Sequence, residues 1–101
     1  MKLIYSEQAL RQLQDILDFL VFTLEVPPAK ALEIRDQILD RANIILTNIY
    51  AGQKEEHLER LQLSHRRIII GHYKIVYNIK DTYILITDIF DSRQDPKKMK
   101  G

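Results

Sequence analysis

Residues 66–79, Arg66-Arg67-Ile68-Ile69-Ile70-Gly71-His72-Tyr73-Lys74-Ile75-Val76-Tyr77-Asn78-Ile79, hold two runs of β-branched and aromatic residues parted by a Gly-His pair. Such residues suit a pleated, half-buried surface, and a two-residue loop with glycine first is a hairpin signal. The stretch predicts two antiparallel strands with Ile70 opposite Tyr73 and Arg67 opposite Val76. A third run, Tyr83 to Phe90, extends the hairpin into a three-stranded meander. Side chains alternate along a strand, so Ile68, Ile70, Tyr73, Ile75, Tyr77 and Ile79 share one face, expected to be core. His65, Arg67, Ile69, Lys74, Val76 and Asn78 share the other. That second face is expected to be open, because no acidic residue lies between Glu59 and Asp81 to neutralise its cations. The turn around Lys80-Asp81-Thr82 closes with more than one loop length, which leaves Thr87 and Asp88 unassigned to a face.

Ahead of the hairpin the period changes from two to 3.6. Residues 2–5 read as a short strand, and Ser6 offers its hydroxyl as an N-cap with Glu7 near the positive end of the helix dipole. Leu10, Leu13, Leu17, Leu20 and Leu24 form the expected apolar stripe of the first helix. Val26-Pro27-Pro28 breaks it, since proline lacks a donor and keeps the preceding residue out of the α region. Pro28 starts a second helix with Leu32, Ile38, Ala42, Ile45 and Ile49 inward, ending at Tyr50-Ala51-Gly52-Gln53 before a polar connection, Lys54-Glu55-Glu56. The fold class is α+β: an N-terminal strand, a two-helix hairpin and an antiparallel three-stranded meander.

A chain of 101 residues with 46% hydrophobic and 29% charged residues is expected to form one domain spanning residues 1–101. It holds no cysteine, which excludes disulfides, thiolate metal sites and a cysteine nucleophile and suits a reducing cytoplasm. No window approaches the roughly 18 apolar residues of a membrane span, so no membrane partner is expected. The net charge of +1 conceals a polarity: four cations face seven anions before Arg41, and nine face four from Arg60 onward. Positive potential concentrated in one half points to a polyanion or an acidic protein surface as partner.

The residues with chemistry to offer are His65, Arg67, Lys74 and Arg93, with Lys97 and Lys98 in the basic tail. His65 is either a base, its ordinary pKa near 6.5 being suitable, or a side chain at a strand edge with no orienting partner. Arg67 and Lys74 are either a solvated face or a contact for an anionic partner; Arg93 either binds outward or pairs with Asp91 or Asp95. His57 and His72 show no metal-ligand spacing to His65. Nothing calls for a nucleotide, metal or flavin cofactor.

Tyr5-Ser6-Glu7-Gln8-Ala9 at the strand-to-helix junction, Gly71-His72-Tyr73-Lys74-Ile75-Val76-Tyr77 in the meander and Asp91-Ser92-Arg93-Gln94-Asp95-Pro96 after the last strand resemble the RelE/ParE toxin superfamily along nearly the whole chain. The last segment is similar to ParE-like members, often labelled plasmid stabilisation proteins. The resemblance implies the toxin of a type II toxin-antitoxin pair, restrained by an antitoxin that lays a partly disordered segment across it. The oligomer is either a homodimer or a toxin-antitoxin hetero-oligomer. Three functions follow from it: a ParE-like inhibitor that binds DNA gyrase, a RelE-like ribosome-dependent mRNA endonuclease, or an antitoxin-binding remnant without toxicity. In RelE-like enzymes basic active-site residues lie where His65, Arg67 and Lys74 lie here, with an arginine corresponding to Arg93. Those enzymes also present a tyrosine or histidine beyond that arginine, and residues 94–101 contain neither, which favours the ParE-like, non-enzymatic reading.

Overall fold

The computed structural model describes residues 1–56, 58, 64–93, 99 and 101. Its centre is the expected hairpin. Strand β3 (Arg66–Ile70) pairs antiparallel with β4 (Tyr73–Ile79), Ile70 opposite Tyr73 and Arg67 opposite Val76. Gly71 makes the turn at φ +57°, a left-handed conformation that costs glycine little. Strand β5 (Tyr83–Asp91) completes the meander against β4, the turn closing with a Lys80 N–H to Tyr83 carbonyl bond of 2.9 Å.

The register left open by the sequence is decided by a bulge. Ile79 faces Ile84 and Tyr77 faces Ile86, but Val76 faces Asp88, so β5 carries one extra residue at Thr87. An extra residue reverses the alternation beyond it. Ile84 and Ile86 point to the helices before the bulge, Ile89 and Asp91 after it. Asp88 is thereby turned out of the helix-side core, where strict alternation from Ile86 would have put it.

Strand β1 (Lys2–Tyr5) adds to β5 in parallel, Lys2 opposite Tyr83 through Tyr5 opposite Ile86, so the sheet is mixed. A short strand β2 (Gln53–Lys54), within what reads in sequence as a polar connection, pairs with β3 at Arg67 and Arg66. The order among the described residues is β1-β5-β4-β3-β2.

Helix α1 (Glu7–Asp18) starts at Ser6, whose Oγ accepts the Ala9 N–H at 3.0 Å. It passes into a π-helical turn (Phe19–Thr23), and Glu25 at φ +56° precedes Pro27. Helix α2 (Pro28–Asn43) has Pro28 in its first turn, as expected, and tightens into a 3-10 turn at Ile44–Thr47. Both helices cover one sheet face, burying Tyr73, Ile75, Tyr77, Ile84, Ile86 and Ile89. The inward stripes differ by a rotation from the leucine pattern. α1 and the turn after it bury Ala9, Leu13, Ile16 and Leu20, and Leu10 is 52% exposed; α2 buries Ala31, Ile38 and Ala42, and Leu32 is 46% exposed. Leu10 and Leu32 each follow a buried alanine and so lie about 100° further round the helix, while Leu24, also expected inward, follows the π-helical turn and is exposed.

Where β1 ends, α1 satisfies the edge of β5. Ser6 Oγ and Gln8 Nε2 donate to the Thr87 carbonyl at 3.1 and 3.3 Å, and Gln12 Oε1 accepts the Ile89 N–H at 2.9 Å. Side chains take over from a missing strand neighbour, as buried backbone groups require.

Candidate functional site

The sheet face away from the helices is closed. Val76 and Phe90 pack there with Leu58 and Met99 in a second apolar cluster. Glu55, just past β2, is 1% exposed; its Oε1 accepts a bond from Lys74 Nζ at 2.9 Å and lies 3.8 Å from Arg67 Nη1. Arg67 also donates from Nη1 to the Lys54 carbonyl at 2.6 Å. The expectation of an open face with unneutralised cations is therefore corrected: the counter-charge comes from before Glu59, carried across the sheet by β2. A buried carboxylate needs such partners, because an unpaired charge inside a protein is costly. Glu55 was missed because nothing local in 54–56 marks a strand, and Glu56 and Glu59 are equally acidic and nearer to β3 in sequence.

His65 lies on the same face, 8% exposed, its carbonyl accepting the Glu55 N–H at 2.9 Å. Its Nδ1 has no hydrogen-bond partner among the described residues. Burial pushes its pKa below the ordinary 6.5, outweighing the pull of Asp88, with Lys80 adding to the decrease. Asp88 is wholly buried; its Oδ1 accepts from Gln8 and Gln12 Nε2 at 2.8 and 3.0 Å, its Oδ2 from the Gly101 N–H at 2.9 Å. A lowered pKa means that the unfolded chain binds the His65 proton more tightly than the folded one. Its share of stability is complete above pH about 6.5 and drains as the pH falls through the lowered folded value. Urea midpoints at pH 7.5 and 5.5 are expected to differ more in the parent than in His65→Gln; equal differences would remove this account of His65.

Arg93 stands on the other side of the sheet. Because the bulge turns Asp91 towards the helices, opposite Tyr73, the arginine two residues on follows it there. Its Nε and Nη2 donate to Asp91 Oδ1 and Oδ2 at 2.9 and 2.7 Å, and its backbone N–H to Oδ1 at 2.9 Å. It borders an apolar cavity of about 260 Å³ lined by Leu20, Leu24, Ile34, Ile38, Ile70 and Tyr73 among others. Phe19, Phe22 and Leu24, exposed at 44, 80 and 48%, extend this apolar surface along the π-helical turn. The Arg93 hydrogen bonds hold the Asp91 carboxyl below its ordinary value, against the opposing effect of burial. A depressed carboxyl stabilises the fold above its unfolded pKa and loses that contribution as the pH falls through the folded one. Stability should fall below pH about 4, and Arg93→Gln should flatten that limb. An unchanged acid limb in the variant, read from urea midpoints between pH 5 and 3, would contradict the pairing.

The predicted site residues thus fall into two groups. His65, Arg67 and Lys74 gather around Glu55 on one face, and Arg93 lies on the other with Asp91. His72 sits in the β3–β4 turn, and Lys97, Lys98 and His57 lie outside the described residues. Among the described residues no group of three or more His, Cys, Asp or Glu is placed to hold a metal ion, and no helix is long and apolar enough to cross a membrane.

The fold is similar to a chain of the "Chromosomal ParDE TA system from P. aeruginosa", with a TM-score of 0.74 at 22% identity over 88% of this chain and 92% of that one. At that identity the likeness speaks to the fold. No curated protein matches. Residues 3–96 match the family described as the ParE toxin of type II toxin-antitoxin system, parDE. The match runs through both helices and all the strands described above, and by it this chain belongs to the ParE toxin family.

Proposed function

We propose that this ParE-family toxin acts by binding DNA gyrase, without chemistry of its own, and is neutralised by a cognate antitoxin. One observation carries the non-enzymatic part. Cleavage of RNA through a ribose 2′-hydroxyl needs a base and cations open to the phosphate. Here Glu55 occupies Lys74 and Arg67, and His65 is buried with Gly101 packed against it. Residues 94–101 supply no tyrosine or histidine in their place. Of the described site candidates Arg93 keeps the most exposure, its side chain 45% exposed while paired with Asp91, and it borders the apolar surface of Phe19 and Leu24. We assign the target contact to Arg93 with Lys97 and Lys98, while Arg67 and Lys74 contribute by holding their face together. Arrest of growth on expression would separate a toxin that has kept its target from an antitoxin-binding remnant.

Inducible expression tests the reading. Growth should stop with a DNA-damage response and intact translated messages, and co-expression of the neighbouring small open reading frame should relieve it. Messages cut in the parent and intact in Arg67→Ala would establish the endonuclease instead. Unimpeded growth would leave the remnant.

A further inference from the structure

Among the described residues, the outer edge of β3 is incompletely paired. In a two-residue hairpin the residues flanking the loop bond to each other, so Ile70 turns its N–H and carbonyl to β4 and Ile69 turns its own outward. One pair back, Arg67 is met by Gln53 of β2, and before that the His65 carbonyl by the Glu55 N–H. The residue that would meet Ile69 is Ala51, but its N–H bonds instead to the Asn48 carbonyl at 3.1 Å as the chain turns away towards α2. Ile69, 52% exposed, is left at an open edge beside a notch of about 250 Å³ lined by Arg41, Ala51, Gln53, Arg67, Ile68 and Ile69. Arg41, in the last turn of α2, has no carboxylate within ion-pair distance among the described residues.

We propose that this edge docks an extended acidic segment of a partner protein, its backbone pairing with Ile69 and a carboxylate taken by Arg41. Both backbone groups of Ile69 are met at once by another strand, whereas a phosphate would use the N–H and leave the carbonyl and the isoleucine side chain unmatched. Successive residues of an added strand point to opposite faces. Arg41 reaches the notch from the helix side, so an acidic residue on that face of the added strand meets its guanidinium, while Arg67 on the other face stays with Glu55. The proposal goes beyond the gyrase reading and stands whichever target is correct.

The probe is a fluorescein-labelled, end-blocked ten-residue peptide of alternating valine and glutamate, titrated by anisotropy at low salt. Saturable binding is expected, weakened about tenfold in Arg41→Gln, the size of one charge-assisted hydrogen bond lost. The Ile69 amide should exchange more slowly in the complex, and the same peptide N-methylated at alternate residues should not bind. Arg41 is a half-buried helix residue, so circular dichroism checks that the variant folds. No saturable binding overturns the proposal, as does binding indifferent to Arg41→Gln, and so does an equally tight single-stranded oligonucleotide that leaves Ile69 exchange unchanged. Self-association that buries Ile69 and resists the peptide assigns the edge to a second copy and overturns it too.

Discussion

Glu55→Gln should destabilise the protein by about 2 to 3 kcal/mol, somewhat below the 3 to 5 typical of a broken buried ion pair. The discount reflects Lys74 and Arg67, whose side chains keep 24 and 14% exposure and stay partly solvated when the carboxylate is lost. The amide conserves shape, so the change isolates charge from packing. Lys74→Met in the Glu55→Gln background should then cost much less than it does in the parent, because the methionine no longer strands a carboxylate. Urea midpoints of the four proteins give the coupling. Additive effects would mean that the two groups are neighbours and not partners, and the closed cation cluster would have to be abandoned.

Gly52→Ala should cost about 3 kcal/mol, combining overpacking with lost hydrogen bonds. A β-carbon at Gly52 would sit 2.5 Å from the Tyr77 hydroxyl and 2.8 Å from the Arg67 carbonyl oxygen, and the second of these is backbone that cannot swing aside. The same hydroxyl accepts the Gly52 N–H at 3.0 Å and donates to the Ile49 carbonyl at 2.9 Å, tying the end of α2 to the sheet. Tyr77→Phe alone should cost about 1 to 3 kcal/mol by leaving both backbone groups unsatisfied. It should not rescue Gly52→Ala, since the Arg67 clash persists. A double variant as stable as Tyr77→Phe would show that the hydroxyl was the whole obstacle.

The parts of the fold that were legible in sequence are those decided locally. Gly71-His72 sets the β3–β4 register because a two-residue loop admits one pairing, and Ser6 and Pro28 mark helix starts through groups on the spot. Parts that depend on distant neighbours were not legible. Nothing near Thr87 announces a bulge, yet that one residue decides the faces of Asp88 and Asp91 and carries Arg93 away from Lys74. Glu55 reaches the basic face through two residues of strand whose pairing is visible only in three dimensions. Leu10 and Leu32 attract the eye as core, but the buried positions are those of the small Ala9 and Ala31 beside them. The family resemblance survived these corrections because it rests on segments spread along the chain rather than on an open basic patch.

Purified protein added to purified gyrase with relaxed plasmid and ATP tests most directly whether the toxin works by contact with that enzyme. Supercoiling should be blocked and broken plasmid should accumulate, with no metal or cofactor supplied beyond gyrase's own, and Arg93→Ala should weaken the effect. Plasmid supercoiled at the uninhibited rate under a large molar excess of toxin would contradict it.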